Sequence, residues 1–139
     1  MNPFFEAALK EAAKAPLISE IPIGAVLVKD GKIIARAFNS TESKLNFTCH
    51  AEMLVIAKAC RKLKTKYLND CELFITLEPC PMCRGAIRLT RLKSVHYLLK
   101  SKKFGARGSA MQKTTFKKIR SPLAQSAEKL LKDFFSTKR

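Results

Sequence analysis

Two short stretches of this chain hold residues that bind a metal and move protons. His50-Ala51-Glu52 comes first, and Pro79-Cys80-Pro81-Met82-Cys83 follows further along. One imidazole and two thiolates around zinc leave its fourth position open, as in a catalytic site rather than a structural one. The ion's charge acidifies a water bound there, so hydroxide is available near neutral pH. A carboxylate then has work to do beside the metal, taking the water's proton and handing it to a leaving group. His50, Cys80 and Cys83 are therefore the expected ligands and Glu52 the expected proton shuttle. Cys-x-x-Cys by itself also serves redox pairs and structural zinc. A closed structural site needs a fourth protein ligand, and a full knuckle needs another paired motif. Cys49 is the nearest spare thiol, but it is adjacent to His50, and neighbouring side chains at a helix start point in different directions. Cys49, Cys60 and Cys71 read instead as reduced, mostly buried small apolar residues.

The elements that must position these groups follow from the hydrophobic spacing. Phe5, Ala8, Leu9, Ala12 and Ala13 recur at helical intervals from Phe4 to Lys14, and Pro16 should end that helix. Two β-branched runs, Ile21 to Val28 and Lys32 to Phe38, flank Asp30-Gly31, a strong hairpin signal. A polar connection, 39–48, leads to a helix from Ala51 to Leu63, with Thr48 as its expected N-cap. Cys71 to Leu77 is the third strand. Glu78-Pro79 breaks it, and Pro81 suits the first turn of the next helix. Both zinc motifs thus fall at helix starts, whose positive ends help hold thiolates and hydroxide. Val95 to Leu99 forms a fourth strand, reached by a right-handed parallel crossover. Thr114 to Ile119 is expected as a short fifth strand, and Pro122 to Phe135 as a last amphipathic helix. The sum is a mixed sheet with helices on both faces.

Composition limits the rest. At 139 residues, 47% of them hydrophobic, the chain is expected to be one globular domain spanning 1–139 with its own core. No apolar run is long enough to span a bilayer. The stretch Met1 to Glu6 lacks a basic segment followed by an apolar one, so no secretion signal is read and a cytoplasmic protein is expected. Twenty-seven Lys and Arg stand against 11 Asp and Glu, a net charge of +16. Such a field attracts polyanions at long range. Nucleic acid as partner fits this field better than a merely solvated basic surface, and no strongly basic amphipathic helix with an aromatic face points to a membrane surface. Lys102, Lys103 and Arg107 with Phe104 resemble a phosphate-contacting loop. Phe134 and Phe135 read as one core ring and one ring free to stack on a base. His96, inside a strand, reads as a satisfied histidine. Asn39, at the end of the second strand, reads either as a turn residue or as an amide able to meet a base.

These residues together resemble the cytidine deaminase superfamily, and within it the bacterial tRNA-specific adenosine deaminases. His-x-Glu followed by Pro-Cys-x-x-Cys is the signature of zinc nucleobase deaminases. The resemblance extends over nearly the whole chain, through Glu20 to Val28, Asn39, Thr76 to Ala86, Gly108-Ser109 and Leu130 to Phe135. It implies a three-layer α/β/α fold with a five-stranded sheet, a homodimer, and one zinc per subunit. It also implies conversion of the wobble adenosine of a tRNA anticodon stem-loop to inosine. Carried onto this chain, it makes His50, Cys80 and Cys83 the ligands and Glu52 the proton shuttle. Asn39 would contact the target base, and the backbone N–H of Ala51 would help position its ring. The chain departs from the family where Gly-Ala-x-Asp usually follows the fourth strand and Leu98-Leu99-Lys100-Ser101 stands here. It departs again where Asn46-Phe47 replaces Asp-Pro, and in a short segment between Ser109 and the last helix.

Two other functions compete. A zinc deaminase of a free base or nucleoside (cytosine, cytidine or guanine) would share the motifs but gain nothing from the +16 charge. A silent nucleic-acid-binding module with structural zinc would have no need of Glu52 beside the metal.

Overall fold

The computed structural model describes residues 2–101 and 114–137. Its elements in chain order are α1 (Pro3–Lys14), β1 (Gly24–Lys29), β2 (Lys32–Phe38), α2 (Ala51–Leu63), β3 (Cys71–Leu77), α3 (Pro81–Leu89), β4 (Ser94–Leu99), β5 (Thr115–Lys118) and α4 (Leu123–Thr137). The five strands form one mixed sheet in the order β2-β1-β3-β4-β5. β1 runs antiparallel to both β2 and β3, whereas β3, β4 and β5 are mutually parallel. A parallel connection from β3 to β4 through α3 and the expected fifth strand are both present.

Alternation along the strands builds two cores. Ala25 and Leu27, Leu73 and Ile75, Val95 and Tyr97 face α2 and α3, where they meet Ala51, Val55, Ala59 and Ile87. The intervening Val26 and Val28, Phe74 and Leu98 face the other way, onto Phe5, Ala8 and Ala127 of α1 and α4. A period of two on the strands against helical spacing on both sides gives the three-layer α/β/α architecture.

Asp30 (φ 51°) and Gly31 (φ 74°) both take left-handed conformations, as the tight hairpin between Lys29 and Lys32 demands. The β1–β2 register shifts at Leu27/Val28. Two local expectations are corrected. The first strand begins at Gly24, not Ile21: Pro22 has no N–H to give a ladder, and the Ile23 N–H turns back to the Ile21 carbonyl (2.8 Å). α1 ends at Lys14, as expected, and the chain passes into a separate 3-10 turn, Ala15–Ile18, closed by Ser19 at φ 59°. Thr48 is not the N-cap of α2. His50 holds that position with extended backbone and no side-chain cap, while the Thr48 hydroxyl donates to Asn46 Oδ1 (2.6 Å).

His96 is satisfied as expected. Its Nε2 lies 3.1 Å from Ser94 Oγ and 3.2 Å from Glu72 Oε1, and its ring stacks on Phe74. Phe134 is buried and Phe135 is half exposed. The basic run Lys102, Lys103, Phe104 and Arg107, with Gly108-Ser109, lies outside the described residues. No helix among the described residues is long and apolar enough to cross a membrane.

Candidate zinc centre

Strand direction decides where the site forms. β2 and β3 each run antiparallel to β1, so they point the same way, and the chain leaves both at the same edge of the sheet. Asn39 sits at the exit of β2. The loop beyond it returns to β2's end, where Ser40 N–H donates to the Cys49 carbonyl (2.9 Å), and delivers His50 to the start of α2. β3 exits through Glu78-Pro79 to Cys80, the N-cap of α3, with Cys83 in its first turn. Two helix N-termini therefore converge beyond strand carboxyl ends, where open α/β sheets place ligands.

His50, Cys80 and Cys83 form the one cluster of metal-ligating side chains found among the described residues, with their donor atoms all within 4.8 Å of one another. His50 Nδ1 lies 3.6 Å from Cys80 Sγ and 3.4 Å from Cys83 Sγ. Tetrahedral zinc, with bonds of about 2.0–2.1 Å to nitrogen and 2.3 Å to sulfur, requires N···S edges of roughly 3.6 Å. Both N···S edges thus have the spacing of a zinc site. Its chemistry agrees. Burial holds the His50 imidazole below its ordinary pKa, favouring the neutral ligand form. Burial also pushes the Cys83 thiol far up, and the neighbouring Glu52 and Cys80 push it the same way. A thiolate there needs a cation, so metal binding must displace protons.

Glu52, in the first turn of α2, is only 4% exposed. Burial raises its carboxyl to about 7, against the lowering pull of hydrogen bonds from its own backbone and Cys83. A carboxyl poised near neutrality both accepts and releases a proton. Ala51, fully buried, is the first residue of α2, where its N–H has no partner within the helix. Asn39 is buried beside Ser40. All six residues singled out in the sequence come to this edge of the sheet.

Three others were missed. Glu20, fully buried, accepts hydrogen bonds from the loop that leads to His50. Glu78 and Arg84 flank the Cys pair and form a buried ion pair at 2.9 Å, with the Arg84 guanidinium 4.1 Å from the centre of the Phe116 ring. Glu20 inside an apolar stretch was a visible sign of a buried acid. Nothing local links Glu78 to Arg84, because the helix start between them sets their approach.

A layered sheet carrying His, Cys and Cys at two helix starts, with a buried glutamate beside Cys83 and one coordination position to spare, defines a zinc-dependent hydrolytic deaminase. The chain belongs to the cytidine and deoxycytidylate deaminase zinc-binding family, whose profile matches residues 2–99. Within that family it is 50% identical to a tRNA-specific adenosine deaminase of Aquifex aeolicus over 102 residues, covering 73% of this chain and 68% of the relative. It is 41% identical to the tRNA-specific adenosine deaminase of Agrobacterium fabrum over 143 residues, covering 98% and 94%. A solved structure from studies of A-to-I editing by tRNA:A34 deaminases at the wobble position of transfer RNA superposes with a TM-score of 0.86. It is 35% identical and covers 93% of this chain and 99% of that one.

Proposed function

We propose that this chain deaminates the wobble adenosine of a tRNA anticodon to inosine. The likeness to tRNA-specific adenosine deaminases along almost the full chain carries the choice of substrate. The net charge of +16 supports RNA over a free nucleoside, since a neutral small substrate gains nothing from that field. Leu45 and Phe47, 91% and 85% exposed in the loop before His50, add apolar surface on which unstacked bases can rest.

His50, Cys80 and Cys83 would hold one zinc per subunit, which supplies Lewis-acid polarisation of water. Glu52 carries the two protons of the attacking water in turn, one to the purine ring nitrogen and one to the departing amine. The C6–N6 bond breaks, a C6–O bond replaces it, and ammonia leaves. Asn39 meets the substrate from the exit of β2, and the N–H of Ala51 helps hold the ring. The unstacked bases of an anticodon stem-loop reach such an edge site at small cost. The reading includes one domain over 1–139, a cytoplasmic setting that suits five free thiols, and a homodimer. Met82 and the strongly exposed Leu89 give α3 an apolar face for a second copy.

The test uses zinc-loaded protein with an RNA stem-loop carrying a single adenosine at the first anticodon position, alongside free adenosine, free cytidine and a cytidine-bearing stem-loop. Mass spectrometry of the nucleoside digest should show inosine from the adenosine stem-loop far ahead of free adenosine. Uridine from cytidine, or equal rates on free adenosine and the stem-loop, overturns the proposal in favour of a small-molecule deaminase.

A further inference from the structure

Glu20 is fully buried, and none of the salt bridges among the described residues includes it. A carboxylate survives such burial only where donors converge on it. Here its Oε1 accepts from the Glu42 N–H (3.1 Å) and its Oε2 from the Ser43 N–H (2.5 Å). Oε1 also faces Asn39 Nδ2 at 3.5 Å. Glu20 is itself fixed by the turn that closes α1, where Ser19 is left-handed and the Glu20 N–H donates to the Ala15 carbonyl (2.9 Å). One acid on a rigid turn therefore touches both the Asn39 amide and the loop that delivers His50.

That loop needs holding. Leu45 sits at φ 51°, a conformation that bulky residues keep only when their surroundings over-determine it. The loop closes on itself through Asn46 N–H to the Thr41 carbonyl (2.9 Å) and Cys49 N–H to the Asn46 carbonyl (3.1 Å), and Glu20 clamps its start. The effect on Asn39 is chemical. An amide presents a donor end and an acceptor end of nearly the same shape, and its partners decide which way it turns. Both Glu20 oxygens are acceptors here, so the Asn39 NH₂ must face them and Oδ1 must face away. Oδ1 has no hydrogen-bond partner among the described residues, whereas the Asn39 main-chain N–H is held by the Ile23 carbonyl (3.0 Å).

We propose that Glu20 is a positioning residue for substrate selection: it locks the Asn39 amide so that Oδ1, an acceptor, faces the bound nucleotide. The site then takes a nucleotide that offers a hydrogen-bond donor at that point, a base amine or a ribose hydroxyl. This deepens the proposed function and rests on Asn39 meeting the substrate.

The experiment is a double-mutant cycle of Glu20→Gln and Asn39→Ala in the zinc-loaded chain. It reads zinc per chain, melting temperature, kcat and KM on the adenosine stem-loop, and the side-chain amide NMR signals of Asn39. Gln offers one acceptor and one donor, so it cannot satisfy Asn39 and both loop N–H groups together. Glu20→Gln should keep its zinc, shift the Asn39 amide signals, and lower kcat/KM about 10–100-fold, the range of one hydrogen bond to a charged group. In the Asn39→Ala background the same change should cost less than about threefold, because the two residues act as one unit. Glu20→Asp, which keeps both acceptors on a shorter stem, should fall between and carries the cycle if the Gln variant does not fold. Repeating the cycle with a 2′-deoxy target nucleotide separates the donors: a penalty that disappears identifies the ribose hydroxyl, and one that persists identifies the base amine. Additive penalties, unchanged Asn39 amide signals, or zinc lost in step with activity overturn the proposal. Wild-type protein that makes no inosine refutes the proposed function instead, and the NMR signals of Glu20→Gln then decide the positioning role by themselves.

Discussion

Replacing Gly24 by alanine should destabilise this protein, against the usual direction for such a change. Gly→Ala at an unstrained position stabilises by about 0.4–1 kcal/mol, because the unfolded chain loses freedom. Gly24 opens β1 where α1 crosses the sheet, and its backbone N–H donates to Thr76 Oγ1 (3.3 Å). A Cβ built there would run into the Ala8 carbonyl oxygen and the Ala12 amide nitrogen, and would stand 3.0 Å from Glu11 Cβ. Two of these three atoms are helix backbone, so no rotamer change relieves the overlap. α1 must lift off the sheet, where it buries Phe5, Ala8 and Ala12 completely. Overpacking of this kind costs about 1–3 kcal/mol, and backbone on both sides places Gly24→Ala at the upper end. A loss of about 3 kcal/mol lowers Tm by roughly 6–12 °C. Gly85 is the control: it lies inside α3 with nothing within 4 Å of an added Cβ. Gly85→Ala should gain about 0.5–1 kcal/mol from helix propensity. Urea titrations followed by circular dichroism, at matched zinc occupancy, measure both. A Gly24→Ala midpoint at or above wild type would refute the close approach of α1.

Other outcomes follow from the site. His50→Ala, Cys80→Ser and Cys83→Ser should each bring zinc well below one per chain by elemental analysis and lower the melting temperature, since the two helix starts lose their common anchor; full zinc in Cys83→Ser contradicts the ligand set. Glu52→Ala should keep its zinc and fold while losing about 10²–10⁴-fold in turnover, the usual worth of general acid–base help; substantial activity in a zinc-loaded variant moves the proton shuttle elsewhere. Stem-loop affinity measured across a salt series should fall with a slope of about −0.7 per phosphate contact on single strands, and a flat series argues against phosphate contacts. The Ser94 hydroxyl foremost, and His96 with it, hold the Glu72 carboxyl below its ordinary value. A depressed folded pKa gives stability that is present above the unfolded value, about 4.3, and is lost as pH falls through the folded one. Glu72→Gln should therefore flatten the acid limb of a stability–pH curve below that value and leave the neutral region's slope unchanged; an unaltered acid limb rules the contact out as a source of pH dependence.

Much of the site was legible in sequence because its chemistry is local. His50 and Glu52 are two residues apart, and Cys80 and Cys83 lie on one helix start, so residue type and spacing single out a candidate metal-ligating set and a candidate proton carrier before any fold is known. Strand alternation around Asp30-Gly31 and helical spacing after Pro81 gave the elements in order, and β3 matches its expected bounds, Cys71–Leu77. The expectations that failed were boundary matters settled by hydrogen bonds: Pro22 denies a ladder partner, and Thr48 spends its hydroxyl on Asn46 instead of capping α2.

By itself, then, the sequence pointed to the donor types, the carboxylate and the layered class, since residue type, motif spacing and hydrophobic period record them. Tertiary structure alone decided the rest. The antiparallel placement of β1 between β2 and β3 aligns their exits and sets the His50–Cys83 distance at 3.4 Å. Burial, which residue type does not specify, lifts Glu52 to about 7. Glu20 reaches Asn39, Glu42 and Ser43 across 19 to 23 residues of chain. No periodicity records such a contact, because it exists only once α1, β2 and the loop are packed against one another.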